Sequence, residues 1–292
     1  MNWFVTAAGA GIVLFAVRDM FHTIWHPSGQ GTLSRLVFRM VWRGSRLLKR
    51  RAEQSSVVGP VALLSVILTW AIAIVAGWTL VYWPHMTEAF SFGSTLDPAQ
   101  RSDFLDSLYL SLVTVATLGY GDIVPQQPWL RLTSPVQALI GFALLTAAVS
   151  WVMQIYPALA RRRALAIRLT LLERAGAAQL LPAADSSSSA TLLHSLTGEL
   201  AQVRVDLTQY AETYYFRETD AAASLPAKLP YAGELARAGQ ESAPAELRLA
   251  GTVLAEAVQD YAHLLAQQFP LAGDSTDDVL QNYATDHGYT RP

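Results

Sequence analysis

Residues 103–122 read DFLDSLYLSLVTVATLGYGD, and the interpretation of the whole chain depends on them. The first fourteen are apolar enough to enter a bilayer but too few to cross it, because a crossing needs about 20 residues of helix. We therefore predict a half-helix over 103–116 that enters the membrane and turns back, with the backbone after it lining a cavity. Its C-terminal carbonyl end, which carries partial negative charge, would favour a cation near the membrane centre.

The five residues after the half-helix, Thr117–Gly121, suit the coordination of a dehydrated potassium ion. Such an ion needs several oxygen atoms in place of its water, and backbone carbonyls supply them only if successive residues turn their C=O groups to one axis. Glycine tolerates the backbone angles that this requires, and other residues mostly do not. Glycine alternates here with Leu118 and Tyr120, and the Thr117 hydroxyl would add one more oxygen at the inner end.

The segment resembles the selectivity filter of potassium channels. Residues 117–122 read TLGYGD, with Leu118 where the best-known filters have valine. The resemblance covers roughly residues 60–160. It implies a pore domain with an outer span over 61–83, a pore helix over 103–116, a filter over 117–122 and an inner helix over 132–157. It also implies that potassium is coordinated by Thr117, Leu118, Gly119, Tyr120 and Gly121.

The flanks of the filter extend the resemblance. Tyr109 lies thirteen residues before Asp122, where the family places an aromatic side chain that braces the filter, although plain packing is an alternative. Asp122 itself, an ionisable residue beside the filter, should be partnered or functional. Gly141 stands at the family's hinge position in the inner helix, but a small residue also allows close helix packing. Val113 replaces a glutamate that some members bury behind the filter.

Three spans are predicted from uncharged stretches. Residues 61–83 carry no charge over 23 positions, and 29 uncharged residues separate Arg131 from Arg161. Both stretches exceed the length of helix that a bilayer requires. The first segment, 1–27, is predicted to be an N-terminal transmembrane helix, with a helix lying in the membrane interface as the alternative.

A basic segment over 28–59 follows the first span. Its arginines recur every three or four residues on one helix face, which predicts an interfacial helix that faces anionic lipid. A voltage sensor is the competing interpretation, but too few spans precede the pore to build one. The positive-inside rule places this helix in the cytoplasm and the N-terminus outside. The lipid-facing arginines are Arg35, Arg39, Arg43, Arg46 and Arg50.

Because one chain holds one filter segment, a ring of carbonyls needs four chains, and we predict a homotetramer with the pore on its axis. The inner helix would then line the cavity. Its polar or gate candidates are Thr146, Ser150, Gln154 and Pro157.

The second half of the chain is acidic. Thirteen basic and seven acidic residues precede Ala164, whereas eight basic and sixteen acidic residues follow from there. We predict a helical cytoplasmic domain over 161–292, with a flexible linker at 182–191, a loop at 225–233 and an exposed or disordered tail after Pro270. A heptad stripe from Leu193 to Tyr214 indicates either a small helix bundle or a tetrameric coiled coil.

The sequence as a whole predicts an all-α membrane protein that conducts potassium passively. We expect K+ as the only bound ion, no organic cofactor, no enzymatic activity, no nucleic-acid partner and a plasma-membrane location, the bacterial inner membrane if the source is prokaryotic. A non-selective cation channel and a non-conducting sensor or assembly subunit are the alternatives. An unidentified cytoplasmic regulator and proton or metal sensing by His22 and His26 stay open.

Overall fold

A computed structural model describes residues 2–25, 31–48, 56–93, 102–271 and 273–289, and most of these residues are helical. Contacts within the chain divide it into a first unit, Met1–Met40 with Ala62–Met153, and a second unit, Val41–Val61 with Gln154–Pro292. The helices are α1 Trp3–Ile24, α2 Thr32–Leu48, α3 Val58–Tyr82, α4 Met86–Ala89, α5 Asp103–Val115, α6 Pro128–Arg174, α7 Ala177–Leu180, α8 Ser186–Gln209, α9 Leu225–Gln240, α10 Ala245–Gln268 and α11 Thr276–Asp286. The strands are β1 Phe90–Phe92 and β2 Ile123–Pro125.

Within the described residues, three helical segments are long and apolar enough to cross a membrane, so the chain is a multi-pass membrane protein. They are Trp3–Ile24, Val58–His85 and Pro128–Arg174. α6 passes without interruption through Gly141 and Pro157 and extends well beyond the predicted end of the inner helix. Residue 157 therefore neither stops nor breaks this helix.

In the first unit, α1 packs closely on α3 through a pair of glycines. A Cβ atom on Gly9 would lie 2.4 Å from the carbonyl oxygen of Gly77, and a Cβ on Gly77 would lie 2.6 Å from the Val13 side chain. Such approach of two backbones is how helices associate in membranes, where small residues replace the hydrophobic driving force. The contact agrees with the interpretation of α1 as a span.

A buried carboxylate holds the start of α2 in the first unit. Asp19 of α1 is 4% exposed and accepts hydrogen bonds from the backbone N–H groups of Leu33 (2.8 Å) and Ser34 (3.1 Å). Trp70 Nε1 of α3 donates to the same carboxylate at 3.0 Å. Because the first N–H groups of a helix have no partner within it, Asp19 acts as a cap supplied from another helix.

The second unit is a bundle in which α8, α9 and α10 pack together and α11 packs on α9 and α10. The heptad stripe of α8 is buried inside this bundle, because its apolar members are at most 3% exposed. They are Leu193, Leu196, Leu200, Val203 and Leu207. The structure therefore favours the bundle over the coiled coil.

Three predicted irregular segments are helical instead. The predicted linker at 182–191 is wrong for residues 186–191, which form the first turns of α8, capped by Asp185 through a hydrogen bond from Ser188 N at 2.8 Å. The predicted loop at 225–233 is the start of α9, where Pro226 lies in the first turn and needs no N–H partner. The tail after Pro270 contains α11.

Candidate ion-conduction site

The segment Thr117–Gly121 follows α5 with a backbone of alternating hand. Thr117, Gly119 and Gly121 have φ angles of 57°, 55° and 77°, whereas Leu118 and Tyr120 stay at negative φ. This alternation in the sign of φ is the kind of backbone that glycine at every second position permits. Positive φ is uncommon for threonine, so Thr117 is held in a strained conformation, which the sequence analysis did not predict.

Two backbone hydrogen bonds connect the N-terminal end of this segment to α5. Thr117 N donates to Thr114 O at 3.0 Å, and Leu118 N donates to Val113 O at 2.9 Å. The side chains of Leu118 and Tyr120 are 57% and 66% exposed in the single chain. The segment therefore begins at a fixed point, and the described part of the chain leaves its Leu118 and Tyr120 side chains mostly uncovered.

The C-terminal end of the Thr117–Gly121 segment is held by hydrogen bonds at Asp122. Tyr109 Oη of α5 donates a hydrogen bond to Asp122 Oδ2 at 2.6 Å, so the structure brings together the two residues for which bracing was predicted. The bracing role itself stays a prediction. Gly93 N donates to Asp122 O at 2.7 Å, immediately beyond the last pair of the β1–β2 ribbon.

The ribbon was not predicted from the sequence. β1 and β2 pair antiparallel, with Ser91 opposite Val124. The connection that follows α3 is thereby joined to the residues that follow Asp122. A short alternation of Phe, Ser and Phe was the only local signal, and the pairing depends on residues more than 30 positions apart.

Gly141 of α6 lies against the end of α5. A Cβ atom at this position would lie 2.2 Å from the carbonyl oxygen of Val115, closer than atoms can pack. The glycine thus permits the approach of two helices, which is the packing alternative to the predicted hinge. α6 is a continuous α-helix on both sides of Gly141, and a hinge movement there stays a prediction.

The predicted cavity residues share one exposed side of α6. Thr146, Ser150, Gln154 and Pro157 follow one another at intervals of four, four and three residues, and each is exposed in the single chain. The Thr146 hydroxyl donates to Phe142 O at 3.0 Å, which satisfies it within the helix. The Gln154 amide oxygen accepts from Tyr210 Oη at 3.0 Å. The cavity-lining role of these residues stays a prediction.

A buried polar network behind α5 escaped the sequence analysis. Gln137 of α6 is fully buried, donates to Ser111 O of α5 and accepts a hydrogen bond from Tyr82 Oη of α3 at 2.6 Å. A single glutamine in an uncharged span forms no pattern by itself. Its polarity inside a predicted membrane helix was the one available signal.

The basic helix α2 divides its arginines among different surroundings. Arg39 and Arg43 are exposed, whereas the side chains of Phe38 and Trp42 are buried. Arg46 pairs with Asp286 at 2.7 Å. The interpretation of Arg46 as purely lipid-facing is therefore incomplete. Arg35 is also exposed, and the predicted lipid contact of Arg50 lies outside the described residues.

The predicted proton or metal sensor gains no support. His26 lies outside the described residues, and His22 is half-buried near Asp19. Among the residues that the structure describes, no three His, Cys, Asp or Glu side chains converge as a metal site.

The comparisons with known proteins agree with this geometry. Residues 65–156 match the family model described as "Ion channel". Over 163 residues the chain is 26% identical to the uncharacterized membrane protein YdjJ of Bacillus subtilis, which covers 54% of this chain and 46% of that protein. Over 49 residues it is 43% identical to two-pore potassium channel 5 of Arabidopsis thaliana, which covers 17% of this chain and 12% of that protein. No solved structure matches the chain significantly.

Residues 65–156 thus match an ion-channel family model, and the resemblance to potassium channels is confirmed. The matched region includes α5, the Thr117–Gly121 segment and the part of α6 that contains Gly141 and Gln137. The chain spans less than half of the length of either curated relative.

Proposed function

We propose that this chain is one subunit of a homotetrameric, potassium-selective channel, and that potassium ions cross the pore through a ring of Thr117–Gly121 segments. The observation that carries the proposal is the alternation of positive φ at residues 117, 119 and 121, placed at the end of a half-helix within an ion-channel domain. Carbonyls turned to one side can replace the hydration shell of a cation. No chemical bond is made or broken, so the protein is not an enzyme.

The need for four copies follows from the single chain's filter. One segment supplies carbonyls from one side only, and closed cyclic symmetry completes the ring. The exposed side chains of Leu118 and Tyr120 support this assembly, because packing by neighbouring copies would cover them. A tyrosine held behind the filter by such packing favours potassium over sodium.

The membrane setting completes the proposal. By the positive-inside rule, the basic residues of α2 and the run Arg161 to Arg163 support a cytoplasmic location for both regions, with the N-terminus outside a plasma membrane. The exposed Arg39 and Arg43 would then bind anionic lipid headgroups. The second unit would be cytoplasmic, where a regulator could bind it.

Ion flux into liposomes that contain the purified full chain tests the proposal. Potassium and sodium gradients are opposed, and barium serves as the blocker. We expect barium-sensitive flux in which potassium moves far faster than sodium. Comparable sodium flux would indicate a non-selective cation channel, and absence of flux from correctly assembled protein would favour a non-conducting subunit.

Gly119→Asp is the matched variant for the same assay. A carboxylate side chain at φ 55° is strained and would put negative charge inside the filter ring, although among the described residues, apart from its two chain neighbours, no atom lies within 4 Å of the new Cβ. We expect flux to be abolished while the tetramer persists. Normal flux through this variant would show that ions take another path.

A further inference from the structure

A chain of hydrogen bonds joins three helices of the first unit behind the conduction segment. Tyr82 Oη of α3 donates to Gln137 Oε1 of α6 at 2.6 Å, and Gln137 Nε2 donates to Ser111 O and Ser111 Oγ of α5 at 3.0 and 2.9 Å. Ser111 Oγ donates in turn to Val75 O of α3 at 2.9 Å. The network closes on α3, where it began.

The three side chains are fully buried, since Tyr82, Ser111 and Gln137 have no exposed surface. The orientation of the Gln137 amide is determined by its partners. If it were reversed, its oxygen would face the carbonyl oxygen of Ser111, and neither could donate. An unsatisfied polar group in an apolar interior costs free energy, so each member of the network holds the others in place.

The network acts on the helix that carries the conduction segment. Ser111 lies six residues before Thr117. The backbone N–H groups of Thr117 and Leu118 donate hydrogen bonds to Thr114 and Val113 of α5, so a movement of α5 moves the start of the conduction segment. One turn further along both helices, Gly141 lies against Val115 with no room for a Cβ atom. α6 therefore contacts α5 at two successive turns, once through hydrogen bonds and once through close packing.

We propose that Gln137 is a positioning residue for ion selectivity, because it sets the depth and rotation of α5 and thereby the spacing of the carbonyls in Thr117–Gly121. The inference rests on the proposed function. Selective coordination depends on how oxygen atoms are placed around the ion, so a small rotation of α5 changes selectivity before it changes the fold. Because this chain has Val113 where some family members bury a glutamate behind the filter, the polar network holds α5 without that carboxyl group.

The test compares the potassium-to-sodium permeability ratio, obtained from reversal potentials of the reconstituted full chain, in four variants. Gln137→Leu removes both hydrogen-bonding ends at similar volume. Tyr82→Phe and Ser111→Ala each remove one hydroxyl. Thr69→Val is the matched control, because its hydroxyl bonds only within α3, to Ser65 O at 2.7 Å.

We expect Gln137→Leu to lower the ratio about tenfold, equivalent to about 1.4 kcal/mol, while the tetramer and ion flux persist. Tyr82→Phe and Ser111→Ala should lower it by a smaller factor, and Thr69→Val should leave it unchanged. A purely structural role would reduce the amount of assembled protein without changing the ratio.

Assembled Gln137→Leu protein with the wild-type ratio would overturn the inference. If that variant fails to assemble, the two hydroxyl deletions decide, and wild-type ratios in both would overturn it. A wild-type protein that itself fails to discriminate would refute the proposed function, which separates the two failures.

Discussion

The two units of this chain place their apolar side chains differently. In the first unit, one side of α6 leaves large apolar side chains more than half exposed, although they belong to a helix long enough to span a membrane. They are Leu132, Leu139, Phe142, Leu145, Val149 and Met153. In the second unit, the core leucines are fully buried by the chain itself, among them Leu193, Leu225, Leu229, Leu254 and Leu265. The second unit thus has a leucine core buried by the chain itself, whereas the first presents a row of exposed apolar side chains on α6 that is suited to an apolar environment.

Their buried polar groups differ in the same sense. The first unit uses uncharged or singly charged side chains, Gln137 and Asp19, to join helices. The second unit concentrates charge and aromatic rings around Asp286, which accepts hydrogen bonds from Trp42 Nε1 at 3.0 Å and Tyr214 Oη at 2.7 Å and pairs with Arg46. Burial of a charge carries a desolvation penalty, which is offset only where several donors hydrogen-bond to the charged group. The second unit thus adds a polar centre around Asp286 to its apolar core.

The largest expected effect is that of a methyl group on Gly141. Gly141→Ala places a Cβ atom against the carbonyl oxygen of Val115, so α5 and α6 must separate, and we expect loss of assembled, conducting protein. Gly198→Ala in α8 is the matched control, because its Cβ would meet nothing within 4 Å. It should stabilise the second unit by up to about 1 kcal/mol.

Native mass spectrometry and thermal unfolding measure the two glycine variants. A Gly141→Ala protein that assembles normally and differs only in how long its pore stays open would contradict the packing account. It would favour the hinge.

A smaller effect is expected from pH through His287 of the second unit. The pKa of His287 is lowered from an ordinary value of 6.5 to about 4, because burial and, to a smaller extent, nearby Arg162 outweigh the raising effects of the Tyr214 carbonyl and Asp286. Its Nδ1 and Nε2 lie 3.0 and 2.8 Å from the carbonyl oxygens of Tyr283 and Tyr214, which would accept from a protonated ring, but burial is the larger effect. The neutral ring is therefore the native form.

The sign of the pH dependence follows. The unfolded chain binds a proton at His287 before the folded chain does, so this contribution to stability is complete above pH 6.5 and is lost as the pH falls towards 4. Between pH 7 and 5 the free energy of unfolding should fall by about 2 kcal/mol more in the wild type than in His287→Gln. Equal pH slopes in thermal or denaturant unfolding of the two proteins would contradict the prediction.

The smallest effect is expected at the surface of the second unit. Lys228 Nζ lies 2.6 Å from Glu173 Oε2, and the two side chains are 21% and 44% exposed. Exposed ion pairs contribute little, so Lys228→Met should lower the free energy of unfolding by less than about 1 kcal/mol, and high salt should remove the difference. A loss of several kcal/mol would mean that surface charge, rather than the apolar core, stabilises this unit.

The parts of the fold that the sequence predicted depend on local signals. Uncharged length predicted the spans, and the alternation of glycine in Thr117–Gly121 predicted a backbone that the structure has. The missed features depend on partners distant in the chain. α11 buries Val279, Leu280 and Tyr283, but its acidic first turn resembles an exposed tail until the surface that covers these side chains is known.

The candidate site divides along the same line. The Tyr109–Asp122 pair was predicted because a family motif specifies it, whereas the β1–β2 ribbon and Gln137 have no motif. Pro226 and Pro230 predict a loop, but Pro226 lies in the first turn of α9, where no hydrogen bond is lost, and burial of Leu225 and Leu229 favours the helix despite Pro230.

The most direct test of the central claim is the reversal potential of the wild-type protein in a planar bilayer, with potassium on one side and sodium on the other. The account predicts a reversal potential displaced strongly in the direction set by potassium, and loss of the current in Gly119→Asp. A reversal potential near zero would contradict potassium selectivity. An unchanged current in Gly119→Asp would contradict conduction through Thr117–Gly121.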